Sequence, residues 1–147
     1  MDRIIHHAID VRARPDAIWR VFSDLTTWPR WFPQATSARS SSDPVWQIGG
    51  RIDIRMQIPV AGSVAITLEI VELVPAERVR WVGKSRGISG DHAYSFEDRG
   101  DWTRVTSHEV FGGWLAGAAM RLARGRIEEA AHVSLDKLRA LVEEATS

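Results

Sequence analysis

The side chains best able to do chemistry in this sequence sit close together, in "DHAYSFED" (91–98) and "WTRVTSHEVF" (102–111). Both stretches read as strands joined at "RGD", 99–101, and alternate residues of a strand share a face. That parity puts His92, Tyr94 and Phe96 on one face of the first strand, and Thr103, Val105, Ser107, Glu109 and Phe111 on the matching face of the second. Residues opposed across an antiparallel pair are near enough to act together, so His92, Tyr94 and Glu109 are candidate partners. A carboxylate on an apolar face must be paired, must bond a ligand or must keep its proton. A His, Tyr, Glu trio would orient a phenol or a carbonyl, and as general acid and base it would serve an aldol cyclisation or a dehydration. The competing reading is that Glu109 pairs with Arg126 or another arginine of the C-terminal segment and ties sheet to helix.

Other chemistries find little support. The sequence has no cysteine, which excludes disulfides and thiolate sites. His6, His7, His108 and His132 show no ligand spacing, because adjacent strand residues face opposite ways, so no metal site is expected. Phosphate loops, dinucleotide fingerprints and Gly-x-Ser-x-Gly elbows are missing, and no cofactor is expected. Nineteen basic residues balance nineteen acidic ones, so no net field draws the protein toward nucleic acid. No apolar run reaches the ~20 residues of a membrane span, and the N-terminal residues lack a signal-peptide pattern, which makes the cytoplasm the default expectation.

The elements that must position these groups can be read in order. At 147 residues the chain suits one domain, taken as 1–147. "RIIHHAIDV", 3–11, is a first strand, and Pro15 opens a short amphipathic helix over 15–25 carrying Ile18, Trp19, Phe22 and Leu25. "TTWPRWFPQA" then crowds Trp28, Trp31 and Phe32 between Pro29 and Pro33. "SARSSSD", 37–43, has low complexity. "RIDIRMQIP" and "SVAITLEIVEL" alternate with period two and form a hairpin across the turn from Pro59 to Ser63. "RVRWVGK" is the next strand, and the glycines of "GKSRGISGD", 83–91, suggest a mobile loop. From Trp114 onward an Ala-, Leu- and Arg-rich segment without proline predicts one long helix, in which Gly117 and Gly125 imply a kink or a close approach.

Three stretches together resemble a known superfamily: "ARPDAIWRVFSDLTTWPRWFP", "IVELVPAERVRWVGK" and "GDHAYSFEDRGDWTRVTSHEVFGGW". They are similar to the START-like (SRPBCC-type) proteins, specifically the polyketide cyclase/dehydratase and lipid-transport branch. The resemblance implies an α+β helix-grip fold, a curved antiparallel sheet around a long C-terminal helix with two short helices after strand 1. It also implies an open space between sheet and helix, whose wall would include Ile54, Met56, Ile66, Leu68, Trp81, Phe96, Ser107 and Phe111, with Trp28, Trp31 and Phe32 capping one end. A hydrophobic or aromatic small molecule is the implied ligand, bound by a carrier or turned over by a cyclase/dehydratase. A protein-interaction module using Trp102, Trp114 or the 28–32 cap is the remaining alternative.

Overall fold

The computed structural model describes residues 3–58 and 62–146. Seven strands form one antiparallel sheet: β1 (Ile4–Val11), β2 (Ala35–Ser40), β3 (Arg51–Ile58), β4 (Gly62–Val74), β5 (Arg78–Ser85), β6 (Ile88–Asp98) and β7 (Thr103–Gly112). Their order across the sheet is β1-β7-β6-β5-β4-β3-β2, so β2 to β7 form a meander and β1 closes on the last strand. Register shifts between Ala35 and Ser37 and between Ile70 and Glu72 add local twist, which helps the sheet curl. This is the helix-grip architecture implied by the sequence.

α1 (Pro15–Phe22) starts with proline in its first turn and ends three residues before Leu25, earlier than its periodicity predicts. The cause is Asp24, whose Oδ1 accepts from the Thr26 backbone N–H at 3.0 Å and starts a separate 3-10 turn, Leu25–Thr27. α2 (Trp28–Trp31) follows directly. The low-complexity stretch is half strand: β2 takes residues through Ser40 and pairs with β3. Of the expected β3–β4 turn, residues 59–61 lie outside the described residues.

The expected mobile loop at 83–91 is instead a hairpin. β5 and β6 pair down to Ser85 and Ile88, and only Arg86 and Gly87 turn, with Gly87 at φ 71°. Gly83 and Gly90 lie inside the strands, where a Cβ would come within 2.7 Å of Leu68 Cδ2 and 2.9 Å of Glu109 Oε2 respectively. These glycines answer to packing rather than to a turn.

α3 (Ala116–Thr146) begins two residues later than Trp114 and runs unbroken past Gly117 and Gly125. A Cβ at Gly125 would meet nothing within 4 Å, and one at Gly117 would meet only Arg3 Nη2 at 3.5 Å, so a close approach does not account for these glycines. The helix packs against β1, β7, α1 and α2. Its C-terminal half buries Leu135, Leu138 and Val142 in the core, whereas its N-terminal half turns mostly alanine toward the sheet. Those small side chains leave the space described next.

Candidate functional site

A cavity of about 1410 Å³ lies between the sheet and the N-terminal half of α3. Its helix wall includes Ala119, Ala123, Ala130 and Ala131, and its sheet wall includes Ile54, Met56, Ile66, Leu68 and Trp81. Trp28 and Phe32 line one end, and Ser107, Phe111, His92, Tyr94 and Glu109 line it as well. Gln57, Ser63, Arg86, Ala118, Leu122 and Arg126 line the cavity while remaining exposed, so it opens between the β3–β4 end, the β5–β6 turn and the first turns of α3.

Two expected wall residues sit elsewhere. Trp31 is fully buried and Phe96 nearly so, and both pack around Phe22 at ring distances of 5.2 and 5.3 Å, outside the cavity lining. Three positions apart on the single turn of α2, Trp28 and Trp31 share a face and touch at 5.6 Å; both belong to the core, and Trp28 also reaches the cavity. The Trp28 indole N–H donates to the Phe22 carbonyl at 2.8 Å, and that of Trp31 to Thr27 Oγ1 at 3.1 Å, which satisfies both inside apolar surroundings. The aromatic segment is thus part cavity end and part core. Ile52, Ile70, Val79 and Val105, from the faces read as inward, also fill core rather than cavity.

The polar groups converge at one place. In the β6–β7 register His92 opposes Glu109 and Tyr94 opposes Ser107, as strand parity requires. A hydrogen bond of 2.7 Å joins His92 Nε2 and Ser107 Oγ, the imidazole stacks on Tyr94 at 4.4 Å, and His92 Nδ1 lies 3.6 Å from Glu109 Oε2. Glu109 makes no ion pair with Arg126 among the described residues, so the helix-tying alternative fails. A quarter of the Glu109 side chain faces the cavity, while protein surrounds the rest.

That setting determines charge. Burial, reinforced by the negative charge of Asp91, raises the Glu109 carboxyl to about 7. Burial, reinforced by His108 and opposed by Asp91, lowers the His92 imidazole to about 3. Tyr94 is pushed up, first by burial and then by Glu109, against a smaller opposing effect of the Ser107 hydroxyl. On the acid side of neutrality the cluster is therefore an uncharged set of donors and acceptors, and near neutrality Glu109 can give up or take a proton.

Ser134 on α3 also lines the cavity, and its buried Oγ has no hydrogen-bond partner. Sequence reasoning missed Ser134, Gly83, Gly90 and the alanines of α3. The readable signal was alanine recurring at 119, 123, 130 and 131, where a core-facing helix would carry larger side chains. Among the described residues no three His, Asp or Glu side chains come together to hold a metal, and no helix is long and apolar enough to cross a membrane.

The sequence matches the family described as polyketide cyclase / dehydrase and lipid transport over residues 3–143. The chain belongs to this family. Solved structures of similar fold include a protein from Thermus thermophilus, 17% identical with a TM-score of 0.79, the match covering 98% of this chain and 99% of the other. The Zhui aromatase/cyclase from Streptomyces sp. R1128 is 14% identical with a TM-score of 0.83, over 99% and 96%. The di-domain ARO/CYC BexL from the BE-7585A biosynthetic pathway is 18% identical with a TM-score of 0.76, over 99% of this chain and 48% of that one. At such identities these likenesses show the fold alone. No curated protein sequence matches the chain.

Proposed function

We propose that the chain acts as a single binding domain that carries a hydrophobic or aromatic small molecule in this cavity. The observation that carries the reading is a large space with mainly apolar walls and one convergent polar cluster, the usual make-up of a small-molecule site. Apolar wall area would supply affinity. His92, Ser107, Tyr94 and Glu109 would choose the orientation by bonding a hydroxyl or carbonyl of the ligand.

A second reading, turnover by a cyclase or dehydratase, is favoured by one specific feature: Glu109 titrates near neutrality beside a neutral imidazole. Proton transfer is most effective from a group whose pKa lies near the working pH. In this reading Glu109 exchanges a proton with the substrate, and Tyr94 and His92 hold the carbonyl whose charge develops.

Tryptophan fluorescence, titrated with fatty acids, flavonoids, sterols and aromatic polyketides, tests the binding reading, because Trp28 and Trp81 line the cavity. Saturable quenching by one chemical class is the expected result, and silence across the panel in folded protein overturns it. The Glu109→Gln variant then separates the two readings. A carrier keeps its affinity within a few fold, whereas an enzyme keeps binding and loses turnover by about 10²-fold or more.

A further inference from the structure

The whole chain is electrically balanced, but the rim of the cavity is not. From Val110 to Ile127 the sequence contains Arg121, Arg124 and Arg126 and no acidic residue. Arg124 is turned away, donating to Glu128 and to the Ile4 carbonyl. Arg121 and Arg126 are exposed, as are Lys84 and Arg86 on the facing β5–β6 hairpin. Among the described residues none of Arg86, Arg121 and Arg126 forms an ion pair.

Two large apolar side chains stand among these cations. Trp114 is 83% exposed and Leu122 80% exposed, the two most exposed large hydrophobic residues described. Leu122 and Arg126 also line the cavity mouth. The Trp114 ring sits beside the β5–β6 turn, its Cε2 3.0 Å from where a Cβ on Gly87 would lie. Each side chain alone is unexceptional on a surface, but both stand beside the opening of the cavity together with these cations, where burying them in an apolar phase would be favourable.

We propose that this rim docks on an anionic lipid surface, with Trp114 and Leu122 entering the headgroup region and Arg86, Arg121 and Arg126 pairing with lipid phosphates. Each apolar anchor has an arginine next to it in the chain or the turn, Arg121 beside Leu122 and Arg86 beside the Gly87 that Trp114 covers. This mixture of apolar and cationic groups suits the headgroup region of a fluid surface better than the charge-poor core of a protein interface. Tryptophan and arginine are also the side chains suited to the membrane–water boundary. Docking stands on the rim residues alone. Its use, passing a ligand between bilayer and cavity without crossing water, rests on the apolar-ligand reading above.

Co-sedimentation of the full chain with lipid vesicles tests the docking. Binding is expected to vesicles of equal parts phosphatidylcholine and phosphatidylglycerol, to be weak on phosphatidylcholine alone, and to fall at high salt. Arg121→Gln should lower the partition about fivefold, and adding Trp114→Ser should bring the loss to about tenfold or more. Neither residue lines the cavity, so the double variant should keep small-molecule affinity in vesicle-free buffer. Equal binding to both vesicle types, no binding to either, or unchanged binding by the double variant overturns the proposal. Retention on polyglutamate without retention on anionic vesicles overturns it in favour of an acidic protein partner. A failed ligand titration with intact vesicle binding sinks the carrier reading and leaves docking in place.

Discussion

Glu109 is a carboxyl group whose neighbours do not offset the loss of water. The imidazole 3.6 Å away is held neutral by its own burial, and the charge of Asp91, which acts on the carboxyl group, has the wrong sign. Gly90 is the local concession, since any side chain there would press on the carboxylate. Because its folded value, about 7, lies above the ordinary 4.5, the native state binds a proton that the unfolded chain has released. Its contribution to stability is therefore full below about pH 4.5 and is lost as pH rises through 7. His92 works in the opposite direction: its lowered value makes stability fall as pH drops from 6.5 toward 3. Replacing Glu109 by Gln should leave stability near that of the parent at pH 4.5 and raise it above pH 7, by on the order of 3 kcal/mol. Urea unfolding of both proteins across that range checks it, and parallel curves would place the Glu109 proton elsewhere. Parity alone brought His92, Tyr94, Ser107 and Glu109 to one face in the sequence. The 3.6 Å spacing and the failure of Arg126 to pair depend on rotamers and on helix placement, which strand parity does not encode.

At the scale of elements, the readable and unreadable parts separate for physical reasons. β3 and β4 announce themselves because one face of each is apolar and the other wet, so burial writes a period of two into Ile52, Ile54, Leu68 and Ile70. The β5–β6 hairpin hides because Gly83 and Gly90 look like loop residues, although they lie inside strands with Leu68 and Glu109 packed close over them. Trp28 and Trp31 could not be told apart, since residues three apart on a single turn share a face and periodicity does not distinguish them. α3 shows a further kind of ambiguity: one continuous helix whose C-terminal half buries leucines and whose N-terminal half, Ala116 and Met120 apart, mainly encloses space. Gly125 belongs to the N-terminal half, and a Cβ added there would meet nothing within 4 Å. Substitution by alanine should therefore stabilise the helix by up to about 1 kcal/mol, a rise of about 2–4 °C in Tm. Calorimetry reads this directly, and a lower Tm would mean that Gly125 has a packing role.

For the molecule as a whole, the space between sheet and helix exists because alanine stands where larger side chains would normally fill. Ala131→Phe should occupy part of that space, lower ligand affinity by about tenfold or more, and leave Tm within a few degrees of the parent. Isothermal titration with whichever ligand class quenches the tryptophans checks it, and unchanged affinity would place the ligand outside the cavity. The order of strand, short helices, meander and long helix was legible because each part has its own periodicity. Whether the enclosed space is open depends on the alanines and glycines, whose missing atoms leave no pattern of hydrophobicity. The closure of the sheet carries one more consequence. β1 has no neighbour but β7 in the sheet, and residues such as His6 and His108, which meet there, are 102 positions apart in the chain. On a ribosome, the isoleucines of β1 must wait for about a hundred further residues before their strand is paired. Of the strands of this sheet, the first made is thus the last to be paired, and the yield of folded protein depends on how well residues 3–11 avoid other chains in that interval.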